Sequence, residues 1–307
     1  MKSDSLAFLL HAFFHEWMGS QKNFSHHTVC SYRDTWKLFL RFASVRKRHE
    51  VAELSLGDLQ ASEVLAFLQH LEKDRKVSVG TRNCRLAAIH SFFAFVADRE
   101  PLAIAQCAEI ARIPVKKTSR PAMCYMDVEE IAAILQEPDR SSPEGQRDHA
   151  LLAFLYNTGA RIQEALDVCP RAIRFESPAQ VTLLGKGRKV RVVPLMDATA
   201  QLLRDHLREN DLDRPERGHL PLFQNRQGGR LSRSGLRYLL HCHVQAARSA
   251  VPGFTQKISP HSMRHTKGMH LLQSGVSLEM IRDFLGHVDV KTTQIYARAN
   301  LEMKRRA

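Results

Sequence analysis

A chain of 307 residues with a normal apolar share is long enough for two domains, each with a sizeable core. No apolar run reaches the roughly 18 residues needed to cross a bilayer, and the polar start, Met1-Lys2-Ser3-Asp4, with histidines inside the first apolar stretch, argues against a signal peptide. The net charge of +13 sits mostly in the second half: residues 1–115 carry 15 basic and 12 acidic side chains, residues 116–307 carry 30 and 20. Such a bias suits a surface that meets a polyanion, and its scatter through folded segments favours nucleic acid over a membrane.

In chain order, the first part reads as amphipathic helices. Leu6 to Trp17 forms one, with Gly19 as its expected stop. A second starts near Ser25–Thr28 and lines up Val29, Tyr32, Trp36, Phe39, Leu40 and Ala43. A third runs from Ser62 through Leu71, and a fourth from Ser78 through Val96. Four such helices with short connections predict a small bundle. Residues 112–121 (Arg-Ile-Pro-Val-Lys-Lys-Thr-Ser-Arg-Pro) lack helical periodicity and read as an inter-domain linker or as a basic strap along a phosphate backbone.

The second part opens on a capping box, Asp127 with Glu130. Helices are expected at 127–135 and 145–158. Strands follow at Ala172–Phe175, Val181–Leu184 and Val190–Val193, with Gly185-Lys186-Gly187-Arg188-Lys189 as a glycine-rich hairpin turn. Helices resume at about 197–209, 232–249, 260–274, 277–285 and 290–303. The fold class is mainly α: an N-terminal four-helix bundle, then a mostly helical domain with a small antiparallel β-sheet.

Six cysteines show no Cys-x-x-Cys pair, which removes the zinc-ribbon and disulfide-framework patterns. His241-Cys242-His243 cannot close on one ion, because neighbours on a helix point about 100° apart. No metal site is expected.

Four segments carry chemistry. Arg161 follows the Thr158-Gly159 break at the start of a short helix, where the dipole gives a cation no partner; it either clamps an anion or pairs with Glu164. Lys186, at a glycine-flanked hairpin tip, is either solvated or free to protonate a leaving oxygen. In Ser259-Pro260-His261-Ser262-Met263-Arg264-His265, Ser259 and Pro260 start a helix and the three-residue spacing puts His261 and Arg264 on one face, as a surface pair or as a site. In the last segment, Gly286 stops a helix, His287 sits in the turn, Asp289 caps the next helix, and Tyr296 follows two turns on.

Taken together these segments resemble the tyrosine recombinase (phage integrase) family. Its signature is an Arg in T-G-x-R-x-x-E, a hairpin Lys, an H-x-x-R box, and a G-H followed nine residues later by Tyr; all occur here, in order, at Arg161, Lys186, His261 with Arg264, His287 and Tyr296. The resemblance implies a core-binding, SAM-like helical DNA-binding domain at 1–111, a linker at 112–122 and a catalytic domain at 123–307. It also implies that Tyr296 attacks a DNA phosphodiester to give a 3′-phosphotyrosyl link and a free 5′-hydroxyl. A phenol of pKa about 10 needs help to lose its proton. His261 is the candidate base, with Glu164 to orient it and His265 as a further supporting partner. Arg161 and Arg264 clamp the non-bridging oxygens, His287 adds a hydrogen bond, and Lys186 protonates the departing oxygen. Preorganised cations take the place of Mg²⁺. The bond energy stays in the phosphotyrosine, so no cofactor, ATP or metal is required.

The partners implied are double-stranded DNA and further copies of the chain, a homodimer on one site and a tetramer in the synaptic complex, in the cytoplasm with the nucleoid and without a membrane. Only eleven residues follow Tyr296, and no small domain precedes the bundle; the expectation is a two-domain enzyme of a mobile element acting at short inverted sites. Two other readings remain: a type IB topoisomerase that only relaxes one duplex, and a catalytically silent DNA-binding accessory protein.

Overall fold

The computed structural model describes residues 5–118, 123–185, 189–251, 254, 258–286 and 296. The chain divides into two compact units, Met1–Arg120 and Pro121–Ala307. The expected helix at 290–303 lies outside the described residues, Tyr296 excepted.

The first unit contains α1 (Leu6–Ala12), α2 (His26–Lys47), α3 (Ala61–Lys73), α4 (Val79–Ala97) and a short α5 (Ile104–Ala111). Serine caps start three of these: the hydroxyls of Ser5, Ser25 and Ser78 accept from the backbone N–H of Phe8, Thr28 and Thr81. Gly19 does not end the first helix. The chain widens into a π-helix over Phe13–Gln21, in which the Lys22 N–H reaches back to the Trp17 carbonyl at 2.9 Å. In this register Phe13 stacks on Trp17 and meets Phe92 and Phe95 edge-on or tilted, at 5.3, 5.4 and 5.6 Å. Aromatic packing outweighs the local weakness of glycine.

Trp36, Phe39, Phe67, Phe92 and Phe93, from α2, α3 and α4, fill the centre of this core. The eight-residue α5 is too short to persist alone, which is why periodicity gave no sign of it. Tertiary contacts hold it: Cys107 and Ile110 are buried, and the Gln106 amide donates to the Leu56 and Leu59 carbonyls at 2.8 and 3.0 Å. Past α5, Lys116 is tied to α4 by paired bonds with Asn83 at 2.8 and 3.1 Å, and its ammonium reaches Glu72 at 2.8 Å.

The second unit contains α6 (Val128–Gln136), α7 (Pro143–Thr158), α8 (Ile162–Asp167), β1 (Ile173–Arg174), β2 (Gln180–Leu184), β3 (Val190–Pro194), α9 (Asp197–Glu209), α10 (Arg233–Ala247), α11 (Pro260–Gln273) and α12 (Leu278–Leu285). The strands form an antiparallel sheet in the order β1-β2-β3, with Val181 opposite Val193 and Leu183 opposite Arg191. Alternation sends Val181, Leu183 and Val193 into the core. Around them pack Leu151, Phe154 and Leu155 of α7, Leu203 of α9, and Leu236 and Leu240 of α10.

The predicted capping box at the start of α6 is present in both directions between Asp127 and Glu130. Helix α7 ends on Gly159 at φ +57°, and α12 ends on Gly286 at φ +64°, left-handed positions where glycine carries little penalty. Near the second of these lies a smaller apolar cluster of Met269, Ile281, Leu285 and Tyr296. Among the described residues, no helix is long and apolar enough to cross a membrane.

Candidate active site

The site is built around the C-terminal end of α12, whose last carbonyls lack partners within their own helix. Three arginines from three elements take them in succession. Arg191 of β3 donates from Nε to the Phe284 carbonyl at 3.1 Å. Arg264 of α11 donates to the Leu285 carbonyl and, at 2.7 Å, to that of Gly159. Arg161, the residue that caps α8, donates to the Gly286 carbonyl at 3.1 Å. Cations at a helix C-terminus are favoured by the dipole, and here they also fix where the chain leaves α12.

Glu164, expected to orient His261, instead joins two of the three arginines. Glu164 accepts from Arg161 Nη1 and from Arg191 Nη2, both at 2.7 Å, and from the Arg161 backbone N–H at 2.8 Å. Burial pushes the Glu164 carboxyl up, but the bonds from Arg191 and Arg161 outweigh it and hold the group below its ordinary value. Three guanidiniums against one carboxylate leave an excess of positive charge, which suits an anion. Of the three, Arg161 is the most open: its side chain is 28% exposed against 9% for Arg191. Arg264 is buried, and burial, then Arg161 and Arg191, bring its pKa to about 9, so it is still a cation at neutral pH.

Helix α11 starts at Ser259, whose hydroxyl accepts from the Ser262 N–H, with Pro260 in the first turn. His261 and Arg264 do not share one environment: Arg264 points into the protein and His261 is exposed. Partial desolvation, followed by the charges of Arg264, Arg161 and Arg237, lowers the His261 pKa and keeps its imidazole neutral. Arg237, on α10, is a neighbour of the site that sequence reading did not single out.

Tyr296 is fully buried, with its hydroxyl 3.2 Å from Nδ1 of His265. Burial raises its pKa to about 12, slightly offset by Arg264, so the phenol keeps its proton at neutral pH. Desolvation, then His261 and Arg264, lowers His265 to about 4, so that ring is neutral. The phenol lies against Gly268, where a Cβ would stand 2.6 Å from the ring carbons Cε1 and Cζ. Gly268 therefore makes room for the ring on the face of α11.

The structure thus brings together Arg161, Glu164, Arg264, His261, His265 and Tyr296. Lys186 and His287 lie outside the described residues. The hairpin that bears Lys186 is closed by a Gly185 N–H to Lys189 carbonyl bond of 2.7 Å. Arg191, like Arg237, was missed by sequence reading, although for Arg191 a signal was there. In Val190-Arg191-Val192-Val193, period-2 alternation puts a guanidinium on the inward face with Val193.

By its family and its relatives the chain is a tyrosine recombinase, a class of DNA strand-transfer enzyme. The chain belongs to the phage integrase family, whose model matches residues 125–303, while residues 12–100 match its N-terminal SAM-like domain. Among its relatives is a Sinorhizobium fredii protein named as an integrase/recombinase, y4rC, 40% identical over all of this chain and 91% of that protein. The tyrosine recombinase XerC of Bacillus subtilis is 30% identical over 95% of this chain and 92% of its own length. Among solved structures, XerH recombinase bound to its difH substrate has a TM-score of 0.70 at 22% identity, covering 90% of this chain and 78% of that one. A lambda integrase dimer bound to a COC′ core site has a TM-score of 0.68 at 14% identity, with 95% of each chain covered. The structural likenesses establish the shared fold.

Proposed function

We propose that the chain recombines duplex DNA at specific sites by cutting and rejoining each strand through a 3′-phosphotyrosyl link to Tyr296. The observation that carries this is the convergence of Arg161, Arg191 and Arg264 on the carbonyls that end α12, the first two sharing Glu164, beside a buried tyrosine on the segment that follows α12. The scissile phosphate docks on the open side, where Arg161 and His261 are reachable, and Arg264 completes the clamp. These donors stand fixed before the reaction, so charge developing on the phosphorane is met without reorganisation.

In the buried pose the phenol meets His265 first; to attack, it leaves the Gly268 notch and reaches the clamped phosphate. There His261, held neutral by partial burial and its cationic neighbours, takes the proton, and Glu164 keeps Arg161 aimed. His287 adds a hydrogen bond and Lys186 protonates the departing 5′-oxygen, as the family signature implies. The new bond keeps the energy of the old one, and attack by another strand's 5′-hydroxyl releases Tyr296. No metal or nucleotide cofactor takes part in this scheme.

Residues 1–111 serve as the core-binding domain, 112–122 as the linker and 123–307 as the catalytic domain. A dimer on each site and a tetramer in synapsis would supply the four strand exchanges, and the nucleoid is where such a protein would work. Support comes from relatives whose structures hold DNA, lambda integrase as a dimer among them.

The test uses nicked suicide duplexes selected on the protein from a pool with a randomised core. A covalent protein–DNA band that is lost in Tyr296→Phe, with DNA binding retained, supports the assignment; a band that survives the substitution overturns it. Junctions between two duplexes favour recombination, whereas relaxation of a single circle alone favours the topoisomerase reading. Binding without any covalent product favours an accessory protein.

A further inference from the structure

We propose that Arg191 is a positioning residue for the cleavage reaction, a brace that holds the phosphate clamp and the nucleophile's chain segment in one frame. The inference rests on the recombinase reading above and assigns a role to a residue outside the family signature quoted there.

Arg191 makes two bonds with different consequences. Nη2 grips Glu164, which in turn holds both the backbone and the guanidinium of Arg161. Nε takes the Phe284 carbonyl, two residues before the glycine at which the chain leaves α12 on its way to Tyr296. One planar group therefore ties the clamp on α8 to the end of the helix that leads to the nucleophile. Its stem also packs on Gly286, where a Cβ would come within 2.9 Å of Arg191 Cδ; that position has no room for a side chain while Arg191 is in place.

The same residue stands on β3, five positions after Lys186, so the strand returning from the acid-bearing hairpin is pinned at this joint as well. Packing explains none of this. An arginine opposite the buried Leu183 replaces a position that an apolar residue would fill at lower desolvation cost. Most of its side chain is covered and two of its donors are engaged, so it is less open to a phosphate than Arg161.

The experiment compares the unaltered chain with Arg191→Met and Arg191→Lys on a duplex that the unaltered chain cuts. DNA affinity is read by anisotropy, and covalent-complex formation under single-turnover conditions. Arg191→Met should bind DNA as the unaltered chain does and cleave about 10- to 100-fold more slowly, the scale expected when reacting groups are misplaced. Arg191→Lys should recover part of the rate, because an ammonium can hold Glu164 but cannot also span to Phe284 in the same fork. A third arm replaces the scissile phosphate by an uncharged methylphosphonate. That change should relieve Arg161→Ala, which lacks a direct charge contact, and should relieve Arg191→Met distinctly less, because that variant also loses its hold on the end of α12.

Cleavage at the unaltered rate by folded Arg191→Met overturns the inference. So does relief of that variant by the methylphosphonate to the extent seen for Arg161→Ala, since Arg191 would then be part of the clamp itself. If Arg191→Met does not fold, folded Arg191→Lys decides in the same way: an unaltered rate overturns, and a slower rate at equal affinity with less phosphonate relief than Arg161→Ala supports. Absence of covalent product from the unaltered chain on every selected duplex would instead sink the recombinase reading, and this inference with it.

Discussion

The hydroxyl of Tyr296 and Nδ1 of His265 are 3.2 Å apart inside the protein, and both groups are neutral there. Burial keeps the phenol protonated and out of solvent. Its consequences are measurable.

Acidification should weaken the fold. His265, lowered to about 4, takes up its proton in the unfolded chain near 6.5, and His90, His149, His206, His261 and His270 are lowered in the same direction, each mainly by burial. Between about 4 and 6.5 the unfolded state binds more protons, so stability rises with pH through that window and is lost as pH falls. His265→Asn should reduce the loss between pH 7 and pH 5 by on the order of 1–2 kcal/mol, read by urea titration at each pH. An unchanged pH slope would count against the buried neutral pair.

Glu164→Gln leaves Arg161 and Arg191 without their shared carboxylate in a buried place. Removing one partner of such a pair typically costs about 3–5 kcal/mol. Chemical denaturation should show a loss of that order, well beyond the roughly 0.5 kcal/mol expected of an ordinary surface change. Acid should act in the same sense: the lowered Glu164 pKa means its contribution is present above the unfolded value and lost as pH falls through the folded one.

Gly268→Ala places a methyl group where the Tyr296 ring lies. Alanine is the better helix former by about 1 kcal/mol, so a local gain opposes the clash. The phenol should be displaced, making Tyr296 more reactive to nitration, as mapped by peptide mass spectrometry. Nitration equal to that of the unaltered chain would mean that the notch does not hold the ring.

Duplex binding should be steeply salt-dependent, as the +13 charge suggests. With roughly 6–10 phosphates neutralised, affinity should fall on the order of 10³-fold or more between 50 and 200 mM salt. Arg161→Ala should lower the slope of log affinity against log salt by about one contact, roughly 0.9. A flat response in the anisotropy titration would remove phosphate contacts from the picture.

Much of this molecule was legible in the sequence because the signals are local. Serine caps, the Asp127–Glu130 box, the glycine stops at 159 and 286 and the apolar periods each act over a few residues, and the elements form close to where they predict. Motifs that resemble the family signature singled out Arg161, His261, Arg264 and Tyr296. Two features escaped because their support is tertiary. Helix α5 depends on Gln106 and buried contacts to other helices, and the π-turns after α1 depend on aromatic partners in α4.

The arrangement of the site was decided only in three dimensions. Arg161 reaches a carbonyl 125 residues away and Arg264 one 105 residues away, and a backbone carbonyl carries no residue identity to read in advance. The sequence by itself determined which groups are present and which helix each stands on. The tertiary structure decided that Arg264 faces inward and His261 outward, that Glu164 serves two guanidiniums, and that Tyr296 rests in a notch opened by Gly268. Capping and periodicity are properties of neighbours along the chain. Burial, charge pairing and shifted pKa values are properties of neighbours in space, and these exist only once the core has closed.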